Sequence, residues 1–161
     1  MNFYMKQHVF SFADRFTIYD EAGNDCYYVE GEVFSWGKKL HLYDVNGRER
    51  AFISQKVFSF LPKYYISIDG NDTAEVAKEF TFFYPSYSVR LCDGSVWKID
   101  GDFFDHEYEI RDPGRMIAAV SKEWFTWGDA YCISVGSNED PILALSTVLV
   151  IDACIEASQN N

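Results

Sequence analysis

The sequence has few basic residues: 14 Lys and Arg stand against 25 Asp and Glu, and the formal net charge is −11. Nucleic acid is bound largely by Lys and Arg that neutralise its phosphates, so a nucleic-acid-binding role is excluded for the chain as a whole. Non-specific adsorption to an anionic membrane is disfavoured for the same reason. Only a local basic patch is compatible with this overall charge.

Paired cysteines and an N-terminal export signal are also missing. The four cysteines stand singly at positions 26, 92, 132 and 154, and no Cys-x-x-Cys spacing typical of a zinc or redox site occurs. The first residues, Met-Asn-Phe-Tyr-Met-Lys-Gln-His, lack the basic stretch and the apolar run of a signal peptide. We therefore expect a cytoplasmic protein with free thiols.

No familiar catalytic, metal or cofactor motif occurs. The sequence contains no nucleophile elbow, no phosphate-binding glycine loop and no His-Glu-x-x-His. The histidines are His8, His41 and His106, and only His106 has acidic neighbours, Asp105 and Glu107. Because adjacent strand residues face opposite sides, His106 cannot converge with Asp105 and Glu107, and a solvated hairpin tip is predicted there. We expect no cofactor, no metal and no catalytic residue, with an enzyme of unfamiliar site as the alternative.

Aromatic residues, in contrast, are abundant. The chain has 14 Phe and 11 Tyr, an aromatic share of 18% and an apolar share of 48%. Aromatic side chains fit pleated, half-buried surfaces, so a mainly β protein is predicted. A chain of 161 residues fits a single domain, here residues 1–161.

A short segment recurs six times along the chain, at intervals of 21 to 24 residues. The copies begin at Met5, Val29, Ile53, Val76, Ile99 and Val120. Among the clearest are Val29-Glu-Gly-Glu-Val-Phe-Ser35 and Ile53-Ser-Gln-Lys-Val-Phe-Ser59. Each copy is followed by a second alternating stretch, such as Leu40-His-Leu-Tyr-Asp44, and most of these lead into a turn rich in Asp and Gly. Apolar residues at every second position indicate half-buried strands, so six units predict twelve strands.

Twelve strands in two-strand units predict a closed antiparallel β-barrel over residues about 3–136. A propeller blade would need four strands and about 40 residues, and closure removes the exposed edges of an aromatic sheet. A β-trefoil also has twelve strands and is the rival fold, but it does not require the apolar helix that follows.

The segment after the last repeat predicts a central apolar helix at about 140–156. Asp140-Pro141 is a favourable helix start, and 11 of the 14 residues from Ile142 to Ile155 are apolar. This run is shorter than the about 20 residues of a membrane-spanning helix, so no transmembrane segment is predicted. A helix that is apolar on all sides fills the barrel; a surface anchor would need basic flanks that it lacks.

The chain resembles the tubby C-terminal-like superfamily, and most closely its LURP-one-related branch, which is related to phospholipid scramblases. The resemblance rests on the segments Tyr27–Ser35, Ile99–Asp105, Ala119–Tyr131 and Glu139–Asp152, of which Ser121-Lys122…Trp127-Gly128-Asp129 is the most specific. It implies a twelve-stranded barrel around a C-terminal helix and supplies no catalytic residues. Tubby relatives bind phosphoinositides through basic side chains of the barrel wall, and the acidic charge of this chain counts against that activity.

Four basic residues form the predicted binding site. In a meander the loops within the units lie at one rim, and the Asp…Gly turns lie at the other. The residues predicted to share the first rim are Arg15, Lys38, Lys39 and Lys63, whereas Arg48 and Arg50 belong to the opposite rim. Such an arc would hold an anionic lipid headgroup or an acidic segment of a partner protein. Ordinary solvated loop charges are the alternative.

The third position of the repeat is polar or Gly in every copy. Its occupants are Gln7, Gly31, Gln55, Lys78, Gly101 and Lys122. They share the parity of the apolar wall residues, which indicates either a bulge or side chains that extend to water. At the glycines we expect close approach of the helix. A polar row beside a ligand cavity is the alternative.

The sequence therefore predicts a non-enzymatic binding or scaffold module that takes a lipid headgroup or a protein partner. An enzyme would instead show a pocket with clustered ionisable groups of perturbed pKa. A structural interaction protein would show an exposed apolar patch larger than a few hundred Å².

Overall fold

The computed structural model describes residues 1–6, 15–33, 35–125 and 128–161, with the backbone alone at positions 124, 125, 128 and 129. Within these ranges the chain forms twelve strands followed by one helix. The strands are β1 (Asn2–Lys6), β2 (Phe16–Tyr19), β3 (Asp25–Gly31), β4 (Lys39–Asp44), β5 (Glu49–Gln55), β6 (Lys63–Ile68), β7 (Asn71–Lys78), β8 (Tyr87–Leu91), β9 (Val96–Asp102), β10 (Glu107–Asp112), β11 (Arg115–Phe125) and β12 (Gly128–Val135), and the helix is α1 (Pro141–Gln159).

The strands close into one antiparallel barrel. Each strand pairs with its neighbour in sequence, and β1 pairs with β12 to complete the ring. Asn2 lies opposite Ser134 and Lys6 opposite Ala130, and the Met1 ammonium donates to the Val135 carbonyl at 2.9 Å. The predicted twelve-stranded barrel is confirmed, and the β-trefoil is excluded.

Helix α1 fills the barrel. Its side chains are buried without interruption from Ile142 to Ile155, against the inward-facing side chain at every second position of the strands. With 19 residues it is longer than predicted, and by length and composition alone it is able to cross a membrane. The prediction that the segment is too short for this is therefore wrong. However, 78% of the most apolar stretch of α1 is buried inside the barrel, so α1 lies where a core helix lies.

The barrel has two rims of different construction. The turn rim is formed by the tight turns at residues 20–24, 45–48, 69–70, 92–95 and 113–114. The rim formed by the loops 32–38, 56–62, 79–86 and 103–106 is here called the aromatic rim, for the side chains described below. Helix α1 begins at the turn rim, where the Asp140 carboxylate accepts the Ile142 N–H at 2.9 Å, and it ends at the aromatic rim.

The strands end earlier than the repeat predicts. The copies Val29–Ser35 and Ile53–Ser59 were expected to be strand throughout, but β3 ends at Gly31 and β5 ends at Gln55. The described residues after these strand ends, such as Val33 and Val57, therefore belong to the aromatic-rim loops. The copy that begins at Met5 runs into positions 7–11, and the one at Val120 reaches position 126, both outside the described residues.

Gly101 does not admit the helix, contrary to expectation. Its φ is +146°, and a Cβ atom there would lie 2.4 Å from the Glu107 carbonyl oxygen and 2.5 Å from the Tyr108 Cα. The close approach is to the neighbouring strand β10, which pairs Tyr108 with Gly101. The glycine is needed for strand pairing at the aromatic rim.

Candidate functional site

Large apolar side chains stand exposed on all four described loops of the aromatic rim. Of the fourteen such side chains that are exposed in the described part of the chain, ten lie here: Val33, Trp36, Val57, Phe58, Phe60, Phe80, Phe82, Phe83, Tyr84 and Phe104. Phe60 is 93% exposed and Phe83 is 89% exposed. The other four, Met1, Val45, Tyr65 and Met116, are scattered over the turn rim and the outer wall. Exposed apolar surface is thus concentrated at one end of the molecule.

The rim side chains cannot retreat into the barrel. Helix α1 already fills the interior, and the loops are closed at their bases by main-chain hydrogen bonds. The Lys56 N–H donates to the Lys63 carbonyl at 2.8 Å, and the Glu79 N–H donates to the Ser86 carbonyl at 2.8 Å. Within the loop 79–86, Phe80 and Phe82 pack edge to face, with their ring centroids 5.3 Å apart. The loops therefore hold these rings outside the core.

Such exposure is costly for an isolated soluble domain. Burying one fully exposed Phe side chain stabilises by about 1.5–3 kcal/mol. Monomeric proteins rarely expose contiguous apolar patches above a few hundred Å², and larger ones mark protein or membrane contacts. The aromatic rim concentrates ten exposed large apolar side chains at one end of the molecule, and exposed apolar surface is the feature expected of an interaction protein.

The four predicted basic residues lie at the aromatic-rim ends of their strands, and each is paired with a carboxylate. The pairs on the outer surface are Arg15–Glu30 at 3.7 Å, Lys39–Glu32 at 3.9 Å and Lys63–Glu75 at 3.0 Å. The Arg15 guanidinium also lies 4.8 Å from the ring centre of Tyr28. The structure thus places the four residues on successive hairpins of one rim, but as neutralised pairs rather than as free cations. That they bind a headgroup stays a prediction.

Lys38 differs from the other three because it points into the barrel. Its side chain is 3% exposed, and its Nζ lies 2.6 Å from Glu156 Oε2 near the end of α1. Burial lowers the pKa of Lys38, and Glu156 offsets part of this effect. Lys38 and Lys39 face opposite sides because they are adjacent at the start of a strand. Lys38 is therefore an anchor for the helix, out of reach of an external ligand.

A second polar cluster fixes the same end of the helix. Tyr131 donates its hydroxyl to the Asp152 carboxylate, and the His106 ring stacks on Tyr131 with centroids 4.5 Å apart. His106 Nε2 lies 3.6 Å from Asp152 Oδ1. Burial, followed by the Asp152 charge, raises the pKa of Tyr131 and of Tyr108. The prediction of a solvated tip at His106 is wrong, because its ring turns inward against α1.

His41 lies on the outer wall between two carboxylates. Its Nε2 is 2.9 Å from Glu32, and its Nδ1 bonds to Glu49. Burial by itself would lower the pKa of His41, but the hydrogen bonds with Glu49 and Glu32 outweigh it, and the pKa is raised. These residues line a groove of about 380 Å³. Among the described residues no group of His, Cys, Asp and Glu is arranged to hold a metal ion; His8 lies outside them.

The sequence matches a known family over most of its length. The LURP-one-related family model matches residues 1–152. The chain belongs to the LURP-one-related family. It is 38% identical over 149 residues to the Uncharacterized protein YxjI of Bacillus subtilis (strain 168), an alignment that covers 92% of this chain and 90% of that relative. The predicted family is confirmed.

A solved structure shares the fold. The X-ray structure of the Arabidopsis thaliana protein AT5G01750 superimposes with a TM-score of 0.63, covering 94% of this chain and 89% of that one. The two sequences are 13% identical, so the likeness shows the barrel fold and nothing about activity.

The exposed aromatic residues are the part of the site that the sequence analysis missed. Their signal is present in the sequence as adjacent bulky residues, such as Val57-Phe58 and Phe103-Phe104, at the fifth and sixth positions of their copies. Neighbours on a strand face opposite sides, so such pairs cannot both enter the core. Recurring at the same place in different units, such pairs indicate an apolar loop rather than a wall.

Proposed function

We propose that this LURP-one-related protein is a non-enzymatic module that binds the surface of a lipid bilayer through its aromatic rim. The observation that carries the proposal is the set of ten exposed large apolar side chains on the four described loops at one end of the barrel. The proposal includes a cytoplasmic location, which the four free cysteines support.

The arrangement of the rim favours a flat partner. The four loops project from the same end of the barrel, around the end of α1, so their tips are able to enter one plane together. Eight of the ten side chains, including that of Phe104, are Phe, Tyr or Trp. Aromatic side chains are enriched where proteins meet the membrane–water interface, since the rings are apolar and tolerate the headgroup layer. A bilayer would cover several loops at once without a complementary groove.

The ionisable groups support a binding rather than a catalytic role. The buried groups, Lys38 with Glu156 and Tyr131 with Asp152, are paired around α1 inside the barrel. They hold the helix in place, and their positions give a substrate no entry in the part of the chain described. We therefore propose no catalytic role for either pair.

A vesicle-binding comparison tests the proposal. The rim variant F58S/F60S/F82S/F83S removes four exposed rings, and the control V45S/Y65S/M116S removes exposed apolar side chains outside the rim. We expect the fraction of protein that floats with phosphatidylcholine–phosphatidylserine vesicles to fall at least about tenfold for the rim variant, since each buried ring contributes more than about 1 kcal/mol. The control is expected to bind like the wild type.

Two outcomes would overturn the proposal. In one, the rim variant floats as well as the wild type while circular dichroism shows both folded. In the other, the wild type stays in solution with every vesicle, and light scattering shows rim-dependent self-association instead. The second result would make the rim a protein-docking surface.

A further inference from the structure

The described loops of the aromatic rim carry no excess of positive charge. They contain Lys38 and Lys56 against Glu32, Glu79 and Asp105. Of the two lysines, Lys38 is buried inside the barrel with Glu156, which leaves Lys56 as the exposed cation within these loops. His106 belongs to the last loop, but its ring faces the helix. The described loops are thus apolar at their tips, and their net charge is negative or close to zero.

Four cations beside the loops are already engaged with carboxylates. Arg15, Lys39 and Lys63 form ion pairs, and Lys98 lies 4.0 Å from Glu79. Lys78, just before the loop 79–86, is half-buried. An anionic headgroup would have to displace these carboxylates, and it would approach a chain of net charge −11. Like charge repels over about 10 Å at 0.1 M salt, so an anionic bilayer is met with an unfavourable long-range term.

Magnitudes decide between the two sources of membrane affinity. A Lys or Arg near an anionic bilayer strengthens binding by about fivefold. Burial of one exposed Phe ring strengthens it by roughly 10- to 100-fold. With several rings and hardly any uncompensated cation in the described loops, the rings determine the affinity, and the headgroup charge adds little or opposes it.

We infer that the aromatic rim is a site for an uncharged, zwitterionic bilayer interface, entered by ring insertion and needing no anionic headgroup. This inference rests on the proposed function and specifies its ligand. It differs from a basic headgroup site in its response to salt: binding to zwitterionic vesicles stays nearly constant as salt rises. Binding to anionic vesicles increases with salt, because screening removes the repulsion.

The experiment compares phosphatidylcholine vesicles with vesicles that also contain phosphatidylserine, at about 0.1 M and about 1 M NaCl. We expect binding to phosphatidylcholine to equal or exceed binding to the anionic vesicles at low salt, and to change less than about twofold at high salt. A matched variant, K39E/K63E, reverses two surface charges beside the loops. It is expected to bind phosphatidylcholine within about twofold of the wild type, since these residues supply no headgroup contact.

Ring insertion has its own readout at Trp36, which is 81% exposed in the loop 32–38. The fluorescence difference between the wild type and W36F isolates this residue from the other three tryptophans. We expect the isolated signal to shift to the blue and to be quenched by brominated phosphatidylcholine, because the indole leaves water.

The outcomes separate the inference from the proposed function. Binding confined to anionic vesicles, lost at high salt or abolished in K39E/K63E, would overturn the inference and leave the membrane-binding function standing. No binding to either vesicle would overturn the proposed function itself. Binding to phosphatidylcholine without a change at Trp36 would also overturn the inference, because the rings would then not be inserted.

Discussion

The two rims of the barrel are made by the same strands but differ in chemistry. At the turn rim, polar side chains satisfy the backbone of short turns: Asp44 Oδ1 accepts the N–H groups of Asn46 at 2.9 Å and of Arg48 at 3.0 Å, and Gly47 has a φ of +78°. At the aromatic rim three of the four described loops are longer than any of these turns, and they present rings such as Phe60 and Phe83 to solvent.

The difference teaches which residues the fold requires. Short Asp–Gly turns are sufficient to connect antiparallel strands, and the turn rim shows that this chain uses them repeatedly. Exposed rings add nothing to the connection and raise the risk of aggregation. We therefore attribute the aromatic residues to a role outside the barrel, and the following changes test whether the two ends differ as described.

The largest effect on stability is expected where α1 meets the aromatic rim. Glu156→Ala leaves the buried Lys38 ammonium without the carboxylate that lies 2.6 Å away. We expect the free energy of unfolding to fall by about 3 kcal/mol, because a buried charge loses a partner. Lys38→Met/Glu156→Met removes both charges and is expected within about 1 kcal/mol of the wild type.

Urea unfolding followed by circular dichroism measures all three proteins. A double variant as unstable as Glu156→Ala would contradict this account of the anchor. It would also weaken the contrast between the ends of the helix, since the start of α1 at the turn rim is held by the uncharged N–H of Ile142 on Asp140.

Glycines at the two rims give the next comparison. Gly70 at the turn rim has a φ of +81° and no atom within 4 Å of an added Cβ, whereas Gly101 has backbone atoms at 2.4 Å and 2.5 Å. Gly70→Ala is expected to lower the free energy of unfolding by about 1 kcal/mol, because alanine is disfavoured in this left-handed backbone conformation. Gly101→Ala is expected to cost about 2–3 kcal/mol, because strand β10 must also move. Thermal unfolding measures the stability lost by each variant. Equal losses would contradict the predicted difference between the two glycines.

The smallest effect concerns His41, which lies on the wall between the rims. Its pKa is raised in the folded state, so its stabilising contribution is complete below its unfolded value of about 6.5 and is lost as pH rises through the folded value. His41→Gln is therefore expected to lower the free energy of unfolding by a few tenths of a kcal/mol at about pH 5.5, and by less at about pH 8.5. The effect is small because solvent screens this partly exposed site.

The measurement is urea unfolding of His41→Gln and of the wild type across this pH range. A difference between the two proteins that grew toward alkaline pH would contradict the stated sign. Glu32 belongs to an aromatic-rim loop and Glu49 begins β5 at the opposite end, so the result also shows whether this contact along the wall stabilises the barrel.

The barrel was predictable because its signals are local and repeated. Alternation in segments such as Leu40–Asp44 gives the strands, Asp and Gly give the turns, and the apolar run after Pro141 gives the helix. The ends of the strands were not predictable in the same way. Aromatic residues favour strands and also occur in apolar loops, so Val57-Phe58 was assigned to a wall that ends at Gln55.

The site was only partly predictable, because its groups depend on rotations that the repeat does not encode. The inward position of Lys38 continues the alternation of the buried Leu40 and Leu42, but its contact with Glu156 depends on how α1 is turned inside the barrel. Contact of His106 with Asp152 depends on how α1 is turned inside the barrel. Neither contact with the helix can be read from the alternation of the strands.

Closure of the barrel by β1 and β12 sets an order of folding. Met1 bonds to Val135, so the ring is sealed by residues 134 positions apart, and the helix that fills it comes later still in the chain. A closed barrel would exclude α1, so the last strand pair has to form around the helix or together with it. We therefore expect closure between β1 and β12 to be the slowest step of folding, because it joins residues 134 positions apart, whereas the other strand pairs are neighbours in sequence.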